Sequence, residues 1–452
     1  MNLNLKLDIT IEPVIFLLAF SNGLSSNGGV NLIMAKVCHD YQHETLLSSK
    51  SCFQRSADLN TIKTMLKECL PIVPLLLGGA WRDRHGKNIP LIILLISGQI
   101  VGALVCLLSS IFLESISAMV TVLAESIVTG LTGSLPLIIM TATCFITART
   151  TIEDRTYRMS FVLAAYLGGL TLGLIMSGIM IQNFGFITLY SVATILAALS
   201  LVYVCLMVTE VAVPSKEPLP IWLMFKIIFK KRDKYLRPIL LSIILVHSIY
   251  GAVLLSEGNV FVIFLENSLK FSLTEAGLYS SYKSIMLALS TFIVVPLLSK
   301  YFKMKDVSLG IISSIVMCLG AIWTAFSTTR LLLALCPLTD LLKGGVFAVG
   351  KSIMTKCVGQ NEIGQMLGAE FVIEACAQMT ILPLYTYVYN KTGVTKFPGA
   401  FFMLSAIFSL IILICFCVIQ FLTFKKGKQS LDEVIISTDI EDGVQDEPST
   451  KL

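Results

Sequence analysis

Charge is the scarcest property of this sequence. Only 14% of its 452 residues are Asp, Glu, Lys or Arg, against about a quarter in soluble domains. That deficit excludes the two or three water-soluble domains that the length alone would allow. The formal net charge is only +5, and the basic residues sit in short segments without interleaved aromatics, so nucleic acid is not an expected partner. No signal-peptide cleavage pattern follows the first apolar run, which carries on as a long span. Cysteine is plentiful at twelve. Cys106, Cys144, Cys205, Cys318, Cys336, Cys376, Cys415 and Cys417 nevertheless lie inside apolar runs and read as small hydrophobes. Cys38, Cys52 and Cys69 stand in or beside a long loop, where a disulfide can form.

What the chain does have is apolar length. Hydrophobic residues make up 55% and the mean hydropathy is +0.82. A hydrocarbon core of about 30 Å needs ~20 apolar residues per helix. Such runs fall at 13–36, 62–81, 89–112, 117–147, 159–182 and 186–208, then at 239–264, 276–298, 307–326, 331–351, 366–388 and 401–424. The reading is an all-α membrane protein with twelve transmembrane helices. It has an N-terminal half at 1–208, a cytoplasmic linker at 209–238, a C-terminal half at 239–424 and a disordered, acidic tail at 425–452. The run at 117–147 is too long for an upright helix and is expected to tilt or protrude. With the amino terminus inside, and Lys36, Lys63, Lys67 and Lys351 counted with the loops they adjoin, 22 Lys and Arg fall on the cytoplasmic side before the far tail and nine on the other. That asymmetry places both termini in the cytoplasm. The sequon Asn390-Lys391-Thr392 then falls in the last outer loop, close to the membrane, as a glycosylation candidate.

One motif is a decoy. Gly345-Val-Phe-Ala-Val-Gly350-Lys351-Ser352 matches the phosphate-loop pattern letter for letter. That chemistry needs a loop between a strand and a helix, with free N–H groups around the phosphates. Here the string lies inside an apolar span whose helix already uses those groups. No nucleotide, cofactor or metal is expected.

The connection between spans two and three reads Gly79-x-x-x-Asp83-Arg84-x-Gly86-Lys87. Gly79 lets another helix approach closely, and Gly86 permits the positive φ of a tight turn. Asp83 can accept N–H groups at a helix N-terminus, or pair with an arginine such as Arg149 or Arg155. The positive charges also enforce topology. This spacing resembles the loop 2–3 signature of the major facilitator superfamily, with Asn88 where a final basic residue is usual. Lys305-Asp306, between spans eight and nine, is a weaker echo, as a parallel two-half repeat requires. Further strings are Ile11-Glu-Pro-Val-Ile-Phe-Leu17, Gly79-Ala-Trp-x-Asp83, Arg155-Thr-Tyr-Arg-Met159, Glu362-Ile-Gly364 and Pro398-Gly-Ala-Phe-Phe-Met-Leu-Ser-Ala406. Together they resemble solute carrier family 46, which includes the proton-coupled folate transporter.

The resemblance implies a major facilitator fold of two six-helix halves and movement of a small organic solute by alternating access. It puts Lys351 where the folate carrier uses an arginine for substrate and protons, and Lys87 on the functional base of loop 2–3. Two acids of that carrier are absent: its span-five glutamate becomes Leu163 and its span-four aspartate becomes Ser134. Residues 265–275 hold no cysteine, so the folate carrier's inter-loop disulfide cannot form. These departures mark a divergent branch rather than a folate carrier. Relatives move muropeptides or conjugated steroids at plasma or lysosomal membranes.

Ionisable groups within spans cost about 2.5–3.5 kcal/mol at mid-helix on insertion scales, so each is a candidate. Glu370, Glu374 and Gln378 share one face of span eleven. Glu374 is the favoured proton site, and Glu370 either joins it or is solvated at the cytoplasmic mouth. Asp340, three residues from Lys343, either neutralises it or contacts substrate. His247 lies near the midplane of span seven. Glu125 and Lys283, nearer the outside, could pair or attract anions. In span one, Ser21-Asn22-Gly-Leu-Ser-Ser-Asn27-Gly-Gly29 is too polar to face lipid and should line a cavity. Gly169, Gly173 and Gly178 in span five read as close helix packing. The expectation is therefore a transporter and not an enzyme, in a plasma, endosomal or lysosomal membrane. Lys351, His247, Asn22, Asn27 and Ser134 would contact an anionic substrate, and Glu374, Glu370 and Asp340 would carry protons. Gly79, Asp83, Arg84, Gly86, Lys87 and Arg155 would gate.

Overall fold

A computed structural model describes residues 10–40, 47–152, 154–210, 228, 230, 235–271, 273–359, 362–392 and 397–425. Among these residues the chain is helical throughout, without strands. Most of the linker expected at 209–238 and nearly all of the tail expected at 425–452 lie outside the described residues. Nine helical stretches there are long and apolar enough to cross a membrane.

The first four helices are α1 (Glu12–Asp40), α2 (Leu47–Cys69), α3 (Ile72–His85) and α4 (Ile89–Ile111). The expected spans at 13–36 and 62–81 are helical but are not among the nine. In α1 the cause is the polar Ser21–Gly29 stretch. The second is divided at Pro71, which cannot continue a helix from α2 but suits the start of α3. Cys38 is disulfide-bonded, Cys69 is free, and the side chain of Cys52 lies outside the described residues.

The over-long run at 117–147 does not keep its length by tilting alone. It breaks into α5 (Ala118–Leu131) and α6 (Ser134–Thr147). Gly133 at φ 98° and Ser134 at φ 43° make the break, a left-handed pair that no continuing helix accommodates. Helix α7 (Arg155–Met207) has 53 residues with a non-helical Gly185 at φ 78°, ψ 178°. At 1.5 Å per residue it would run about 80 Å, well over twice a hydrocarbon core.

The later helices are α8 (Leu236–Leu269), α9 (Leu273–Leu289), α10 (Asp306–Phe326), α11 (Arg330–Leu335), α12 (Asp340–Lys343), α13 (Gly345–Lys356), α14 (Ile363–Thr392) and α15 (Ala400–Lys425). Two apolar stretches here depart from α geometry. Beyond α9 the chain forms π turns at Ser290–Val294 and Leu297–Tyr301, and a 3₁₀ turn at Cys336–Thr339 separates α11 from α12.

Two compact units result. The first holds Met1–Ala142 and Phe161–Ala212, the second Thr143–Ser160 and Val213–Leu452. Inside the first, α1 and α7 touch through backbone. A Cβ on Gly173 would stand 2.8 Å from the Cα of Gly23, and one on Gly169 would meet the carbonyl of Phe16. A Cβ on Gly178 would meet nothing within 4 Å among the described residues, so its expected packing role is absent. The segment Thr143–Ser160 belongs to the second unit because its side chains engage there. Arg155 Nη1 donates to Thr355 O at 3.1 Å, and Thr156 Oγ1 donates to Asp306 Oδ1 at 2.7 Å.

Candidate functional site

In the second unit, three of the residues singled out from sequence come together. Lys351 on α13 and Glu370 on α14 are fully buried, with Nζ 2.6 Å from Oε2. Glu370 is therefore not solvated at a mouth. The other carboxylate oxygen, Oε1, faces His247 Nδ1 of α8 at 3.3 Å, yet is a buried atom without a hydrogen bond. On the far side of the ring, His247 Nε2 lies 3.2 Å from Phe347 O. A carbonyl can only accept, so Nε2 carries hydrogen. In a neutral ring Nδ1 is then a bare acceptor facing another acceptor. The contact becomes attractive when one proton lies on it, making either imidazolium with carboxylate or imidazole with carboxylic acid.

Local sequence builds this geometry. A Cβ at Gly350 would run into the His247 ring, so glycine there is what admits the histidine. The Phe347 ring lies tilted over His247 at 5.2 Å, and Lys351 Nζ sits 4.4 Å from the Phe371 ring centre. The phosphate-loop lettering is thus helical, within α13, and Gly350 and Lys351 serve this cluster. Glu374, one turn beyond Glu370, is half-buried against Gly251 and accepts from Gln378 Nε2 at 3.4 Å.

A second charged cluster in the same unit includes a residue that the sequence reading missed. Asp340 Oδ1 is 3.7 Å from Lys343 Nζ, which is also 4.0 Å from Glu257 Oε2. Glu257 further pairs with Lys283 and accepts from Ser405 Oγ at 3.1 Å. Lys283 thus has a partner other than Glu125. In the first unit, Glu125 is held by Lys63 at 2.6 Å and Lys67 at 2.7 Å.

The first unit also has a neutral pocket. Asn22 of α1, Gln99 of α4, Ser134 of α6 and Tyr166 of α7 line it, with Leu18 and Ile138 as apolar wall. Asn22 and Ser134 thus share a cavity. Asn27 is not part of it, because its Nδ2 donates to Ser177 Oγ at 2.6 Å. Gln99 and Tyr166 carry no charge and give no signal in a hydropathy reading.

The loop between α3 and α4 is more anchored than the missing base at position 88 suggests. Gly86, at φ 67°, donates its N–H to Arg82 O and ends α3. Buried Arg82 reaches buried Asp83 at 2.9 Å and the side chain of Asn88 at 3.3 Å. The Glu210 carboxylate accepts from Asn88 N at 2.9 Å and Ile89 N at 2.7 Å, capping the N-terminus of α4. Gly79 is buried, whereas Arg84 and Lys87 are exposed. Asn390 is exposed in the last turn of α14.

The comparisons agree with this architecture. The profile of the Major Facilitator Superfamily matches residues 69–375. The lysosomal proton-coupled steroid conjugate and bile acid symporter SLC46A3 of Bos taurus is 24% identical over 363 residues, covering 77% of this chain and 77% of that protein. Its Mus musculus counterpart is 21% identical over 411 residues, covering 87% of each. Among solved structures, the human organic anion transporter MFSD10 (TETRAN) superposes with a TM-score of 0.67 at 16% identity, covering 90% of this chain and 98% of that one. The major facilitator transporter FucP in its outward conformation gives 0.66 at 12% identity, covering 90% and 97%. The chain is a multi-pass membrane protein and belongs to the major facilitator superfamily of transporters.

Proposed function

We propose that this protein is a proton-coupled symporter of a small organic anion, with Lys351, Glu370 and His247 as the coupling site. One observation carries the reading: a buried carboxylate oxygen without a hydrogen bond, 3.3 Å from an imidazole nitrogen whose opposite nitrogen already donates. That contact is where a proton would add. Ionised Glu370 holds Lys351 and the pair is neutral. A proton on the Glu370–His247 contact leaves one positive charge, and Lys351 is then free to take an anionic group. Proton and anion together restore neutrality. Either alone would leave net charge in a dry site, which is costly. The site therefore favours empty and doubly loaded states, which is the requirement for symport.

Twelve crossings and two cytoplasmic termini belong to this proposal. The interruption at Gly185 divides α7 into two crossings, and α1 and the α2–α3 pair supply two more beyond the stretches named above. A conjugated steroid or bile acid, the class named for the mammalian relatives, is the organic anion we infer. Their lysosomal membrane is the location we infer. Asn22 and Ser134 would contact substrate, and Glu374 would pass protons toward Glu370. Gly79, Asp83, Arg84, Gly86, Lys87 and Arg155 would govern the rate of the cycle.

The test is uptake into proteoliposomes with and without an inward proton gradient, screening a sulfated steroid, a bile acid, a folate and a muropeptide. Accumulation of one of the first two above equilibrium, dependent on the gradient, supports the reading. Equal uptake with and without the gradient rejects it.

A further inference from the structure

Along α8, Glu257 lies ten residues beyond His247, about 15 Å at 1.5 Å per residue. The cluster around it is therefore separate from the coupling site. It combines Glu257, Lys283, Lys343 and Asp340, formally neutral, beside a cavity of about 20 Å³. That space holds about one water molecule, not an organic substrate. Lys283, at the edge of the cluster, is about a quarter exposed, at 25%.

The two carboxylates are not equally held. Glu257 has Lys283, the Ser405 hydroxyl and a share of Lys343. Asp340, only 6% exposed, lines the cavity and has Lys343 at 3.7 Å, shared with Glu257. Tyr250 and Tyr279 are the other titratable groups nearby on α8 and α9, and Cys336 completes the lining on Asp340's own span. From α10 and α15 only neutral residues line the cavity.

The backbone around Asp340 is broken in a way that a purely structural ion cluster does not require. A 3₁₀ turn ends at Thr339, directly before it, and α12 is a single turn followed by Gly344. Beside that break lies the π turn at Ser290–Val294, whose Ser290 Oγ accepts from Gly344 N at 3.1 Å. A Cβ on Gly344 would stand 2.8 Å from that same Oγ. Interrupted helices facing each other are a recurring setting for ion sites in transporters, because they can shift without losing the rest of the span.

We infer that Asp340 is a second proton-carrying carboxylate, separate from Glu370, reached by water through the Lys283 side of its cavity. Protonation cancels its claim on Lys343, which then belongs to Glu257 alone. The inference rests on the proton-coupled reading above and adds a second proton to it.

The experiment is pH-jump infrared difference spectroscopy of the full chain in lipid nanodiscs, from mildly alkaline to mildly acidic buffer. The wild type is expected to gain a protonated-carboxyl band that Asp340→Asn removes and Glu370→Gln leaves in place. Asp340→Glu keeps the amplitude of that band but displaces it, and this variant alone decides the matter if the asparagine form does not fold. An unchanged spectrum in Asp340→Asn, or no displacement in Asp340→Glu, overturns the inference. Uptake of a monovalent sulfated steroid gives a second readout. Two protons per anion make wild-type uptake respond to an inside-negative potential, and Asp340→Asn loses that response while remaining proton-dependent. Loss of the Asp340 band with gradient-independent flux would sink the symport reading instead and leave the second site standing.

Discussion

Lys351 and Glu370 neutralise one another with no exposed surface, so neither can lose its partner cheaply. Breaking a buried pair by removing one member costs about 3–5 kcal/mol. Lys351→Gln should therefore lower the thermal midpoint in detergent markedly, and Lys351→Gln with Glu370→Gln should recover much of the loss. An additive double variant would mean that the two residues are not coupled. These charges were legible because an ion in an apolar run stands out. Their partnership was only half legible, since Glu370 could equally have been solvated. Glu257 carries the same signal as Asp340 yet went unremarked, because its partners lie on other helices. Gln99 and Tyr166 gave none, being neutral groups at ordinary positions.

At the scale of elements, small residues and caps decide where helices meet and end. Gly173 packs backbone to backbone on Gly23, so Gly173→Leu must push α1 from α7 and should cost about 1–3 kcal/mol. Gly178→Ala meets open space and should be neutral or stabilising by up to about 1 kcal/mol. Chemical denaturation of the two variants compares them directly. Glu210→Ala removes the acceptor for Asn88 N and Ile89 N. It should destabilise by about 1–3 kcal/mol, read as faster proteolysis at the α3–α4 loop. The glycine at position 86 was legible as a turn, because its spacing to Arg84 and Lys87 leaves no other role. Glu210 was not, because a cap contributed from over a hundred residues away has no local pattern. Nor was the break at Gly133 and Ser134, where length suggested tilt and backbone geometry chose a kink.

For the whole molecule, the class was fixed by hydropathy and charge asymmetry, whereas which spans are continuous depends on packing that periodicity does not record. The central claim is that one proton on the Glu370–His247 contact and one anion at Lys351 cross together. Glu370→Gln mimics the permanently protonated form. It should therefore keep exchanging labelled for unlabelled substrate, a step that needs no proton movement, yet accumulate far less substrate against a gradient. The most direct measurement compares these two activities of Glu370→Gln in the same proteoliposomes, using whichever steroid conjugate or bile acid the wild type accumulates. Exchange near the wild-type rate with at least a tenfold loss of proton-driven accumulation is the predicted result. Accumulation at the wild-type level in Glu370→Gln would contradict the account.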